Sequence, residues 1–271
     1  MNRRSFIKTF GTGAIGLAIA PSALASEGIR PTNQDICKTT WDQLCGKIGE
    51  VYKTDAFEYV SPVRKRPNVL LYGDSVSIQY SSSVRKELEG KATVIRLFKN
   101  GGSSRDFIRN MDTMKETMFQ PSLPKGWKFK WDVIHFNVGL HDLKYLSNGH
   151  LKKKGGTQVS TLQDYKTQLE DICQYLKAEY PKAKLIFATT TPVPENAKGR
   201  YKGDSIKYNK AALEVLKAHP EIMINDLYTF TLPHHQEWAE EGLGNVHYNA
   251  QGSSQHGKKV ADAILKALKS K

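Results

Sequence analysis

The chain is predicted to be an α/β protein, a three-layer α/β/α sandwich built on a parallel sheet, and three observations carry that expectation. Five short apolar runs, at 69–72, 94–98, 133–138, 184–188 and 222–224, have the composition of strands buried on both faces. Amphipathic helical patterns separate them, the alternation that covers a parallel sheet on both sides. Polar, reactive residues gather just beyond the runs, and open parallel sheets carry their sites at the carboxyl ends of strands.

The elements follow in order. Residues 1–25 stand outside the fold: Asn2-Arg3-Arg4-Ser5-Phe6-Ile7-Lys8 looks like a twin-arginine export signature. A modestly apolar stretch follows over 11–20, and Ala23-Leu24-Ala25 offers small residues for cleavage. The expected location is therefore periplasmic or secreted. Residues 26–66 are mixed and end in the basic run Pro62-Val63-Arg64-Lys65-Arg66-Pro67, an N-terminal extension expected to pack on the domain at 67–271. Among three cysteines, Cys37 and Cys45 are close enough in sequence for a disulfide in an oxidising compartment, whereas Cys173 takes a core-facing helical position. Neither a C-x-x-C nor a His/Cys ligand spacing occurs, so a thiolate metal site is not expected.

Beyond the strands, Leu162, Tyr165, Leu169, Ile172, Cys173 and Leu176 form one apolar helical face, closed by Pro181. Tyr208, Ala212, Val215 and Leu216 form a second, and Val260, Ile264, Leu265 and Leu268 a third. Hydrophobic residues make up 39% and charged residues 25% of 271, ordinary globular usage that excludes a fibrous or disordered chain. No apolar run approaches the roughly 18 residues that a permanent membrane span needs. Forty Lys and Arg against 27 Asp and Glu leave a net charge of +13, which falls to +10 once Arg3, Arg4 and Lys8 are removed with the signal. Such an excess steers anionic polymers toward a surface. Export and the lack of a recognition-helix or RNA-binding motif speak against nucleic acid.

Four places put reactive groups at strand ends. The run at 69–72 enters Gly73-Asp74-Ser75 and then a helical segment, so Ser75 sits at a strand-to-helix turn. On this tripeptide alone Ser75 reads equally as a nucleophile or as a helix N-cap. Asn100-Gly101-Gly102-Ser103-Ser104 lets backbone N–H groups approach an oxyanion, or is a tight turn. Gly139-Leu140-His141-Asp142 follows the third run. Gly244-Asn245-Val246-His247-Tyr248-Asn249 precedes the last helix and places His247 in a loop, as a base requires.

In this order and spacing the four blocks resemble the SGNH (GDSL) hydrolases, esterases and lipases with a flavodoxin-like three-layer fold, over residues 68–271. The resemblance implies that Ser75 is the nucleophile and His247 the base. It implies an oxyanion hole built by the Ser75 and Gly102 N–H groups. Two positions depart from the family pattern. His141 stands where the family usually has Asn, in Gly-Leu-His-Asp rather than Gly-x-Asn-Asp, and an imidazole N–H can serve as the same donor. Gly244 stands three residues before the base, where the family usually has the Asp that orients it. Asp226, Glu240 and Glu241 are the candidates to replace that carboxylate, with a backbone carbonyl as the fourth option. Asp142 is expected to tie its loop rather than react.

The resemblance implies acyl transfer through Ser75, with neither metal nor organic cofactor. No long apolar lid segment of the kind used against lipid is present in the sequence. The basic run Lys152-Lys153-Lys154 is either a solvated face or an attractor for anionic polymer, and Trp127, Trp131, Tyr145, Tyr201 and Trp238 are candidates for stacking on sugar rings. The expected function is an exported serine esterase that removes acetyl or other small acyl groups from a carbohydrate or polysaccharide, an anionic one included. A lipid or general carboxylesterase is the alternative, as is a non-catalytic glycan-binding protein of the same fold.

Overall fold

The computed structural model describes residues 33–46, 54–242 and 244–270. The expected export signal at 1–25 lies outside the described residues, as do 26–32 and 47–53 of the expected extension. Five strands, β1 (Asn68–Tyr72), β2 (Thr93–Arg96), β3 (Val133–Phe136), β7 (Lys184–Ala188) and β8 (Met223–Asn225), form one sheet in the order β2-β1-β3-β7-β8. Every neighbouring pair is parallel. The chain order reverses between β1 and β3, and that switch opens a crevice at the carboxyl edge where the loops diverge.

Helices cover both faces. These are α1 (Asn33–Gly46), α2 (Ser75–Glu87), α3 (Phe107–Met118), α4 (Leu162–Glu179), α5 (Asp204–Leu216), the short α6 (Leu227–Thr231) and α7 (His235–Trp238), and α8 (Ala250–Lys269). Alternation along β3 separates the two layers. Phe136 meets Phe107 of α3 edge-on at 5.7 Å, while its neighbour His135 points the other way and meets Tyr80 of α2 at 6.5 Å. The layer containing α2 is completed by α8, which packs so closely that a Cβ on Gly257 would come within 2.3 Å of Ser83 Cβ. The other layer holds α3, α4 and α5 in sequence, with α1 against α3. No helix among the described residues is long and apolar enough to cross a membrane.

The strands begin or end within two residues of the sequence pattern. What the pattern does not show is a second, antiparallel sheet of three very short strands, β4 (Tyr145–Ser147), β5 (His150–Leu151) and β6 (Thr157–Gln158). It carries the Lys152-Lys153-Lys154 run at its turn.

The cysteine expectation is corrected. Cys37 and Cys45 both lie on α1, eight positions apart, so about 12 Å of helical rise separates them when a disulfide needs Cα atoms within about 7 Å. All three cysteines are free. The Tyr59 hydroxyl donates to Cys37 Sγ at 3.2 Å, and Cys45 Sγ faces the Phe57 carbonyl at 3.8 Å. Trp41, on the same helix, donates its indole N–H to that carbonyl at 2.7 Å and packs on Trp127.

Candidate active site

Ser75 is the first residue of α2, and Asp74 is the cap: the Asp74 carboxylate accepts the Val76 N–H at 2.9 Å. With capping assigned to its neighbour, the Ser75 hydroxyl is released, and its Oγ lies 2.7 Å from His247 Nε2. Arg96 braces the turn from below. Fully buried on β2, it donates to the Gly73 and Asp74 carbonyls at 2.8 and 3.2 Å and to Ser77 Oγ at 2.8 Å, and its other amino group reaches the Leu97 and Lys99 carbonyls. Burial lowers its pKa to about 10.

His247 is held from the other side by an amide. Asn245 Oδ1 lies 2.7 Å from His247 Nδ1 and also accepts the His247 backbone N–H at 3.1 Å. A backbone N–H can only donate, so the atom it meets must be the amide oxygen. Nδ1 of a neutral His247 therefore carries the proton, and Nε2 is left as the acceptor for the Ser75 hydroxyl. The amide nitrogen of Asn245 in turn donates to Glu240 Oε2 at 2.9 Å. Glu240 itself is exposed, and its carboxylate is 3.8 Å from Nδ1, beyond hydrogen-bonding reach.

The candidates for the third member thus separate. Glu240 reaches His247 only at second hand, through Asn245. Asp226 is engaged elsewhere: it caps α6 by accepting the Thr229 N–H at 3.0 Å and takes the Thr189 hydroxyl at 2.9 Å. Glu241 is exposed and has no hydrogen bond or ion pair among the described residues. Gly244 has φ +76°, and a Cβ there would lie 2.5 Å from the Asn196 carbonyl oxygen, so this backbone does not accept an Asp at that position.

The oxyanion candidates are also placed. The Ser75 N–H lies in the first turn of α2, where no intrahelical acceptor exists. Gly102 has φ +73°, but its N–H donates to Asn100 Oδ1 at 3.0 Å, so it is occupied by its own turn. His141 accepts at Nδ1 from the Lys144 ammonium at 3.2 Å. An ammonium has donors only, so the proton of a neutral His141 sits on Nε2, the tautomer an oxyanion donor needs. Burial, with the Lys144 charge next, lowers the His141 pKa to about 3 and keeps the ring neutral. Asp142 ties the loop: it accepts the Ser104 N–H at 3.0 Å, the Ser104 hydroxyl at 2.6 Å and the Ser160 hydroxyl at 2.9 Å.

Four residues essential to this geometry are not singled out by the sequence: Asn245, Arg96, Lys144 and Arg200. Arg200 is 7% exposed and donates through Nε to the Leu140 carbonyl at 3.0 Å. Of the aromatic candidates, Trp127, Trp131 and Trp238 are buried in the core, while Tyr201 is 43% exposed and meets the half-buried Tyr145 edge-on at 5.2 Å.

No family model and no curated protein matches the chain by sequence. Solved structures match it by fold. A lipase/acylhydrolase from Enterococcus faecalis superposes over 76% of this chain and 98% of its own with a TM-score of 0.56 at 18% identity. The likeness is one of fold, a three-layer α/β/α sandwich on a five-stranded parallel sheet. The acetyl xylan esterase AlAXEase aligns over 73% of this chain and 99% of its own, with a TM-score of 0.53 at 18% identity. LAE5, an alpha/beta hydrolase enzyme from the Lake Arreo metagenome, aligns over 74% and 94%, with a TM-score of 0.52 at 15% identity.

Proposed function

We propose that the protein is a serine esterase that cleaves small acyl esters, acetyl above all, from a carbohydrate, and that it acts after export through the signal at residues 1–25. The observation that carries the proposal is the 2.7 Å contact of Ser75 Oγ with a His247 nitrogen whose partner across the ring, Asn245, makes it an acceptor. Ser75 Oγ attacks the ester carbonyl carbon as its proton passes to His247 Nε2. The carbonyl oxygen, now an oxyanion, meets the Ser75 N–H and the His141 Nε2–H; the Gly102 N–H joins them when Asn100 lets it go. His247 returns the proton to the sugar oxygen as the acyl C–O bond breaks. Water, activated by the same His247, then releases the acid and restores Ser75. Exposed Tyr201, edged by Tyr145, offers a face for a sugar ring, and one neighbour in fold is an acetyl xylan esterase.

The test is hydrolysis of p-nitrophenyl acetate and of acetylated polysaccharides by the mature protein and by Ser75→Ala. Acetate release that disappears in the variant, with an unchanged melting temperature, is the expected result. Binding of acetylated glycan without turnover in the parent protein would replace the esterase with a glycan-binding protein. Activity on long-chain esters alone would move the substrate to lipid.

A further inference from the structure

Two cations stand beside the candidate active site with no carboxylate of their own. Arg200 is buried to 7% exposure, yet only its Nε has a partner; its two terminal nitrogens have none among the described residues, and both retain contact with solvent-accessible space. An arginine held by its Nε alone, with both terminal nitrogens open to solvent, presents a free fork to an anion. Lys144 spends one of its three donors on His141 and forms no ion pair among the described residues.

The nearby carboxylates are already spoken for. Asp74 caps α2, Asp142 is filled by Ser104 and Ser160, and Asp106 pairs with Arg109. Burial first, and then the Arg200 charge, lowers the Lys144 pKa. Asp74 opposes the lowering at Arg200, and Asp142, Asp106 and Asp74 oppose it at Lys144, but none forms an ion pair with either cation among the described residues. The neighbourhood continues the pattern outward. Tyr201 follows Arg200 in the chain with 43% of its surface exposed, and Lys153 Nζ lies 5.6 Å from the centre of its ring.

We propose that Arg200 and Lys144 form a subsite for a carboxylate on the substrate, so that the sugar bearing the ester, or its neighbour, is a uronic acid. The inference rests on the esterase reading above and supplies its substrate class. Arg200 receives the carboxylate in its planar fork, Lys144 adds charge, and Tyr201 offers a face for the ring. The carboxylate lies on the His141 side of the nucleophile, because the Leu140 carbonyl that anchors Arg200 immediately precedes His141.

The experiment uses an O-acetylated oligogalacturonide and its carboxyl-reduced counterpart, identical but for the charge. The mature protein is expected to prefer the acid in kcat/KM by about tenfold or more, chiefly through KM, since a charge-assisted fork contact contributes binding in the ground state as well. In Arg200→Gln the ratio of the two rates should fall to near unity, with Arg200→Lys intermediate. Reading a ratio cancels any loss of folded protein. A second arm is independent of turnover: calorimetry of the same two oligosaccharides with Ser75→Ala and with Ser75→Ala/Arg200→Gln. Carboxylate-dependent binding lost in the double variant supports the subsite even if no acetate is released, in which case the esterase reading alone fails. Equal rates and equal binding for acid and reduced sugar overturn the subsite and leave the esterase standing. Preference for a sulfated sugar over the uronate overturns the carboxylate assignment.

Discussion

Lys144 can only donate, and that property sets the tautomer of His141; Asn245, oriented by a backbone N–H, does the same for His247. Each of these two rings, when neutral, therefore carries its one proton in a known place. If His141 holds the oxyanion, His141→Ala should lower kcat by about 10²–10³ with less effect on KM, and His141→Asn should recover part of the loss. If its role is only packing, the melting temperature falls and turnover per folded molecule does not. Lys144→Met should also lower kcat while the protein stays folded, because Nδ1 is then free to take the proton. Asn245→Ala should cost on the order of 10² in kcat, within the range seen when a base loses its orienting partner. Asn245→Asp is more telling. It places a second carboxylate about 3 Å from Glu240, and like charges at that distance resist joint ionisation. The double variant Asn245→Asp/Glu240→Gln should therefore outperform Asn245→Asp alone at neutral pH; equal rates would remove Glu240 from the relay.

At the scale of elements, the segments carrying Ser75 and His247 are joined through the helix pair α2 and α8. Gln79 of α2 holds residue 248 with both ends of its amide, donating to the Tyr248 carbonyl at 2.9 Å and accepting its N–H at 3.1 Å, and Ser83 reaches the Ser254 carbonyl of α8. Gly257→Val would force a side chain into Ser83 and push α8 from α2. A loss of about 1–3 kcal/mol of stability is expected from such overpacking, together with a fall in kcat as His247 moves from Ser75. Unchanged kcat at a lowered melting temperature would show that the base is set by its loop rather than by the helix. The elements were largely legible because period and burial coincide: β1 is an unbroken apolar run, and α8 alternates at helical spacing. The small sheet β4-β5-β6 escaped because strands of two or three half-exposed residues bury too little to leave a pattern. Ser75 and His247 are singled out by a strand-to-helix turn and by a loop before the last helix, with their roles taken from the family resemblance. Asn245 is not, because a neutral amide carries no charge that would mark it as the partner of an imidazole. Arg96 and Arg200 are not singled out, since charge in a sequence gives no sign of burial. The disulfide expectation failed for a related reason: spacing in sequence says nothing until helix or loop is known.

For the whole molecule, the histidines predict an acid response. His135, His141 and His256 have pKa values lowered by burial to about 3, 3 and 4. Below the ordinary value near 6.5 the unfolded chain binds protons that these folded sites refuse, so their stabilisation is full above 6.5 and is lost progressively as pH falls toward 3–4. Asp74 and Asp142, whose pKa values burial raises, act in the opposite sense and soften the slope. The melting temperature should fall from pH 7 to pH 5, with net proton uptake on unfolding; a flat profile would contradict the neutral state of these rings. Ser75 and His247 lie 172 positions apart, and this separation orders events in time as well as space. During synthesis Ser75 leaves the ribosome long before His247, whose loop is tied to α2 through Gln79 and leads into α8. A chain cut before residue 247 would carry a Ser75 hydroxyl without its imidazole partner, so the proposed acyl cleavage would report that the two distant segments have come together.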